Sequence, residues 1–275
     1  MTLRFVHVSD LHFGQEDQSA LHAAADYIAA TRPDAVLVSG DLTAAGGRRQ
    51  MRAAFTWLRG LRAPVVATPG NHDTPQLNLY SRLADPFARF ARASHGVRTD
   101  LWMNEAFAVV PVNTARGAQW RRNWALGAVS RRQLHAALDA LQAAPRPALK
   151  IVMTHHPLAW PQNAPIQGET RGGPAALDAM VAGGASVFVC GHLHRSDVET
   201  VSHGGRLAAV VCAGTLSRRH RGEPGAFVAI RAEGAMLEIE RLYASAGKAL
   251  SAGITRLDLG VADGTNQRQE TLHLP

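Results

Sequence analysis

Short apolar runs alternate with stretches of helical period over most of the chain. Residues 3–8 read as a strand, and residues 19–30 follow with Leu21, Ala24, Ala25 and Ile28 on one helical face. Arg32-Pro33-Asp34 stops that helix ahead of an apolar run at 35–39. The alternation continues with a helix at 48–61, a strand at 65–68, a helical stretch at 77–90 broken near Pro86, and a strand at 107–112. Ser130 caps a helix running to 141, before a strand at 149–154, a short helix at 174–181 and a strand at 187–190. Beyond this point the period is that of strands: 198–202, 206–211, 227–230 and 236–242 leave almost no helix between them. His203-Gly204-Gly205 marks a hairpin turn. Strand–helix units followed by a β meander predict an α/β fold, with two packed mixed sheets flanked by helices. No internal repeat or Gly/Ser/Pro-rich linker divides the chain, so residues 1–244 are read as one domain. The pattern weakens over 245–275, read as a tail packed on the domain or on a neighbouring subunit, which leaves room for a homo-oligomer.

Composition narrows this picture. With 275 residues, 46% hydrophobic and 19% charged, the chain can bury a sizeable core. No apolar run approaches the roughly 20 residues of a membrane span. The N-terminus opens as a strand and not as a signal peptide, so the expectation is a cytoplasmic protein without a membrane partner. Cys190 and Cys212 each sit in or beside an apolar run and read as small buried hydrophobes, with a disulfide as the alternative. The formal charge of +7 suits an anionic substrate. Nucleic acid is compatible with it but not favoured, because neither a continuous basic stripe nor stacking positions show in the sequence.

Chemistry enters at the strand ends. Ser9-Asp10-Leu11-His12, Gly40-Asp41, Gly70-Asn71-His72-Asp73, His155-His156-Pro157 and Gly191-His192-Leu193-His194 each follow an apolar run. In an open α/β sheet, the carboxyl edge is where ligands bind. A turn alone accounts for Gly70, Asn71 and Asp73, but not for His72. Taken singly, Asp10 or Asp41 could cap a helix and His155-His156 could be a loop pair. Taken together, they read as a metal site. Carboxylate, imidazole and amide donors without thiolate suit Mn, Fe or Zn. The donors outnumber what one ion takes, so two divalent ions sharing a carboxylate are expected.

These blocks, Asp10-x-His12, Gly40-Asp41, Gly70-Asn71-His72-Asp73, His155 and Gly191-His192-x-His194, resemble in order those of the calcineurin-like metallophosphoesterases. In style they are similar to the bacterial class III cyclic-nucleotide phosphodiesterases and related glycerophosphodiesterases. The resemblance implies a four-layer α/β/β/α sandwich with two neighbouring ions. Asp10, His12, Asp41 and His194 would hold the first ion. Asp41, Asn71, His155 and His192 would hold the second, with Asp41 bridging. His72 would face the scissile phosphate and stabilise or protonate the departing oxygen, with Asp73 orienting and charging its imidazole. His156 is read as supporting or structural. The implied activity is attack of a metal-bridging hydroxide, in line with the leaving oxygen, on a small phosphodiester, with a 3',5'-cyclic nucleotide in the lead. A nuclease, a phosphomonoesterase, a nucleotide-lipid pyrophosphatase and a non-catalytic regulatory metal protein are the alternatives. Segments 113–127 and 157–173 are expected to form the rim of the pocket. Arg195 and Arg121 are candidate substrate contacts there, each also readable as a solvated side chain. Trp120 and Trp124 would stack on a base or pack under a loop. The basic loop 218–224 could approach the edge of the site.

Overall fold

The computed structural model describes residues 1–146 and 148–260. Strand β1 (Thr2–Val8) leads into α1 (Gln18–Thr31), β2 (Ala35–Val38), α2 (Arg48–Gly60) and β3 (Val65–Ala67). Two short helices, α3 (Leu79–Ala84) and α4 (Ala88–Ala93), flank Pro86. They are followed by β4 (Trp102–Met103), β5 (Phe107–Pro111), α5 (Arg131–Ala143), β6 (Leu149–Met153), α6 (Gly173–Ala182) and β7 (Val187–Cys190). Strands β8 (Asp197–His203), β9 (Arg206–Cys212), β10 (Ala226–Glu233), β11 (Met236–Ser245) and β12 (Lys248–Asp258) complete the order. Local chemistry sets the helix ends. The Asp17 carboxylate accepts from the Ser19 and Ala20 amides, and Ser130 caps α5 by accepting from Gln133. Arg32 closes α1 in the left-handed region directly before Pro33, which cannot continue the helix.

One sheet runs β12-β11-β10-β1-β2-β3 and the other β4-β5-β6-β7-β9-β8. Strands β1, β2 and β3 are parallel to one another, as are β5, β6, β7 and β9. Phe5, Leu37 and Val66 from one sheet and Phe107, Ile151 and Val211 from the other form the core between them. The rings of Phe5 and Phe107 meet edge to face at 5.2 Å. Leu21, Ile28, Met51 and Phe55 of α1 and α2 cover the outer face of the first sheet, and Leu141, Leu177 and Met180 of α5 and α6 that of the second. The layers are therefore helix, sheet, sheet, helix, as expected. Cys190 and Cys212 are free, buried and in register across β7 and β9.

Two features differ from the reading of the sequence. The meander does not stay together: β8 and β9 join the second sheet, while β10 to β12 extend the first. Strand β12 lies in the stretch read as a tail and pairs antiparallel with β11. Its alternation is diluted by Ser251, Ala252 and Gly253, and the register shifts between Arg241 and Leu242. Residues 261–275 of that tail lie outside the described residues.

His7 on β1 is fully buried, with Nε2 2.8 Å from Ser39 Oγ and no partner at Nδ1. Burial pushes its pKa down from 6.5 to about 3, against a smaller upward pull from Asp10. The folded value lies below the unfolded one, so the unfolded chain binds more protons below pH 6.5. Stability contributed by neutral His7 is complete above that pH and is lost as pH falls toward 3. Urea denaturation at pH 7 and about pH 4.5 should show His7→Gln losing less stability on acidification than the parent, by on the order of 1–3 kcal/mol. Equal losses would refute the assignment.

Candidate metal centre

Because β1, β2 and β3 run parallel in one sheet and β6 and β7 in the other, their carboxyl ends deliver all five polar blocks to one edge. Backbone bonds lock the blocks together. Asp10 N–H donates to Gly40 O, His12 N–H to Asp41 O, and Gly191 N–H to His155 O. Asp10, His12, Asp41, His192 and His194 have positive φ, from 45° to 69°. Such backbone costs roughly 1–2 kcal/mol per residue, and outliers of this kind gather at functional sites. Here they turn the chain sharply off each strand, so that side chains from different strands converge. Gly70 and Gly191 allow close approach: a Cβ at Gly70 would collide with the Asp41 carboxylate, and one at Gly191 with Ser9 Oγ and Asp10 Oδ2.

Each carboxylate is anchored by one oxygen and open at the other. Asp10 Oδ2 accepts from the His192 amide at 2.8 Å. Its Oδ1 lies 3.1 Å from His194 Nε2 and 3.6 Å from His12 Nε2, yet no hydrogen bond reaches it. Asp41 Oδ1 accepts from the His72 amide at 2.7 Å. Its Oδ2 lies 3.3 Å from His155 Nε2 and 3.8 Å from His12 Nε2, between the two groups. Asn71 Oδ1 stands 3.2 Å from His155 Nε2. His155 Nδ1 donates to Ser39 O at 2.8 Å and His194 Nδ1 to Arg219 O at 2.6 Å, which turns both Nε2 atoms inward. Every sequence-predicted ligand except His192 is tied into this cluster by these distances. His192 offers a ring nitrogen within 4.8 Å of those of His155 and His156. His156 is otherwise engaged: its Nε2 donates to Ala125 O at 2.7 Å, and its Nδ1 sits 2.8 Å from Thr114 Oγ1, pinning the rim segment.

The electrostatics call for cations. Burial would raise the pKa values of Asp10 and Asp41, yet the surrounding imidazoles hold both well below the ordinary carboxylate range. Two buried, ionised carboxylates thus share one cavity. Burial opposes charge on His155 too, but Asp41 wins and lifts its pKa to about 9. His12 and His192 are pushed down, first by burial, toward the neutral imidazole that a metal requires. Open carboxylate oxygens facing imidazole nitrogens, with no thiolate, form groups that could hold divalent ions.

Asp73 corrects one expectation. Its carboxylate does not reach the His72 ring. It is fully buried and accepts from the amides of Leu42 (3.1 Å), Thr43 (2.9 Å) and Gly70 (2.9 Å). Burial, then Asp41, raise its pKa to about 7, against those amides. Asp73 therefore braces the turn, and it is Ala44 O that accepts from His72 Nδ1, at 2.7 Å. His72 Nε2 is left facing the site.

The expected arginines turn to protein partners. Arg195 turns to Asn163 O (3.1 Å) and Asp197 (3.5 Å), while Arg121 turns to Gln119 (2.9 Å), Gly127 O and Glu169 (3.5 Å). Both guanidinium groups make these contacts with protein. Arg219 does reach the cluster: its Nη1 is 3.2 Å from His72 Nε2 and 3.3 Å from His12 Nδ1. The signal for it was β9, a further parallel strand whose end reaches the same edge. Thr215 Oγ1, beyond that strand, donates to Asp10 O at 2.7 Å. Trp160 stands edge-on to His192 at 5.6 Å as a wall of the site. Trp124 carries Arg82 over its ring, and Trp120 is fully exposed.

Comparison with known proteins agrees with this geometry. The family model described as calcineurin-like phosphoesterase matches residues 3–196. A "Probable cyclic nucleotide phosphodiesterase" of Synechococcus sp. is 34% identical over 85 residues, 28% of this chain and 33% of that protein. A glycerophosphodiester phosphodiesterase of Enterobacter lignolyticus is 35% identical over 79 residues, 24% of this chain and 28% of that protein. The matched segment thus spans about a third of those relatives' length. Among solved structures, a dimetal phosphatase from Danio rerio superposes with a TM-score of 0.66 at 14% identity, covering 90% of this chain and 98% of that one. A purple acid phosphatase from yellow lupin gives 0.68 at 15% identity, covering 91% and 53%. At such identities these two speak to the fold. Among the described residues, no helix is long and apolar enough to cross a membrane.

Proposed function

The chain belongs to the calcineurin-like phosphoesterase family, and on that premise we propose that it hydrolyses phosphodiester bonds in a small anionic substrate, a 3',5'-cyclic nucleotide first among them. The observation that carries this reading is Asp41 Oδ2, poised between His12 and His155 so that one carboxylate serves both ligand groups. The names of the two partial relatives, both phosphodiesterases, support the diester. Asp10, His12, Asp41 and His194 would hold one divalent ion, and Asp41, Asn71, His155 and His192 the other, as Mn, Fe or Zn. Bound there, such ions supply Lewis acidity toward phosphate oxygens and toward a water nucleophile.

The chain's own groups divide the remaining work. Arg219 donates to non-bridging phosphate oxygens, orienting the substrate and offsetting the charge that repels a nucleophile. His72, fixed through Nδ1 by Ala44 O, turns Nε2 toward Arg219 and the site, and with Arg219 drawn onto the phosphate that nitrogen would serve the departing oxygen as hydrogen-bond or proton donor. Trp160 and the segment pinned by His156 limit water on the far side.

Metal-quantified, manganese-supplemented protein should turn over bis-p-nitrophenyl phosphate and cyclic AMP faster than p-nitrophenyl phosphate and single-stranded DNA. Turnover of the monoester alone would overturn the diesterase reading. Inactivity on all four with both ions bound would favour a regulatory metal protein.

Arg219→Ala should lower kcat/KM for diesters by roughly 10²-fold with metal content unchanged, and Arg219→Lys should recover part of it. Because His194 is held by the Arg219 backbone carbonyl and not its side chain, plasma emission should still find both ions. A loss of metal would assign Arg219 to the ligand shell instead.

A further inference from the structure

We propose that a second anion site, separate from the metal centre, lies in the groove between α2 and α4 and takes a small ligand bearing two or more phosphate groups. The groove encloses about 560 Å³, within the range of small-molecule sites. Arg48, Arg52 and Arg59 line it from α2, and Arg89, Arg92 and His95 from the α4 side. Met51 and Ala93 complete the lining, so no carboxylate faces these cations. The sequence carries no Asp or Glu between Asp41 and Asp73, nor between Asp85 and Asp100. The linear reading found no basic stripe because this one is divided between two helices that meet only in the fold.

The cations are not there to hold the helices together. Only Arg59 and Arg89 brace the scaffold: Arg59 donates to Ala93 O and His95 O at 3.2 Å, and Arg89 to Gly46 O at 2.7 Å. Arg48, Arg52 and Arg92 make no hydrogen bond or ion pair among the described residues. Arg48 and Arg52 are a like-charge pair one turn apart, which by itself disfavours a helix. On α2, Arg48 to Arg59 spread over about 16 Å at 1.5 Å rise per residue, further than a single phosphate reaches. Guanidinium forks pair bidentately with phosphate oxygens, so a ligand with separated phosphates neutralises both walls at once. No Phe, Tyr or Trp side chain lines the groove, whereas single-stranded nucleic acid is held by stacking as well as charge. That favours a small polyphosphate over a polynucleotide.

The test is calorimetric titration of the metal-loaded protein with adenosine 3',5'-bisphosphate, parent and variant side by side, so that binding at the metal centre is common to both. We expect saturable binding that weakens with added salt, and a loss of about ten-fold or more in affinity in Arg52→Glu/Arg92→Glu. Hydrolysis of bis-p-nitrophenyl phosphate should be unchanged in that variant. Should charge reversal impair folding, Arg52→Gln/Arg92→Gln must show the same direction. Equal affinity in parent and variant would overturn the proposal. So would binding of single-stranded DNA that depends on Arg52 and Arg92 while the bisphosphate fails to bind.

Discussion

Asp41→Asn should abolish most diester hydrolysis, by on the order of 10³-fold or more in kcat/KM, the scale on which single charge-stabilising groups are lost. The reason is positional. Oδ1 is already committed to the His72 amide, so Oδ2 alone faces His12 and His155. An asparagine would keep the first contact and present an NH₂ to two imidazole nitrogens, removing the negative charge both ligand groups share. Plasma emission should show fewer than two ions per chain. Thermal unfolding gives a second signature. Without ions the variant should be less stable than the parent, because it takes from buried His155 the carboxylate that holds its charge. With manganese added, the parent should gain more stability than the variant. A variant that keeps both ions and full activity would remove the shared carboxylate from the mechanism.

His72→Ala should act differently. Its ring is positioned by Ala44 O and faces Arg219, and its amide, which holds Asp41, survives the substitution. Metal content should therefore persist, while kcat falls by roughly 10²–10⁴-fold for substrates with basic leaving groups. Bis-p-nitrophenyl phosphate, whose leaving group needs little help, should be slowed least, and cyclic AMP most. A series of aryl diesters would show a steeper dependence on leaving-group pKa in the variant. An unchanged slope would deny His72 the proton-transfer role, and an emptied metal position would make it a ligand.

How far the sequence carried the site depends on the kind of residue. Asp10, Asp41, Asn71, His155, His192 and His194 were legible because each stands within a few positions of a strand end, and parallel strands force those ends to one edge. Asp73 was misread because adjacency was taken for contact. In the three-residue 3₁₀ turn Asn71–Asp73, successive side chains fan out by about a third of a revolution. His72 thus looks toward Ala44 while the neighbouring carboxylate is buried against Leu42 and Thr43. The contacts of Arg121 and Arg195 were not legible because a long flexible stem can turn its head to any nearby carbonyl or carboxylate. Arg219 was visible only as part of a basic loop, since nothing local says that β9 leaves the meander to lie beside β7. The same ambiguity hid β12, whose small residues carry little alternation.

The proposed ligands come from both halves of the sandwich. Asp10, Asp41 and Asn71 follow strands of one sheet, and His155, His192 and His194 follow strands of the other. Any ion seated among them is consequently a rivet through the two leaves. Loading it should fasten this rim of the molecule and withdrawing it should open the rim, a hinge that hydrogen exchange at β3 and β7 would register ahead of the remote margins.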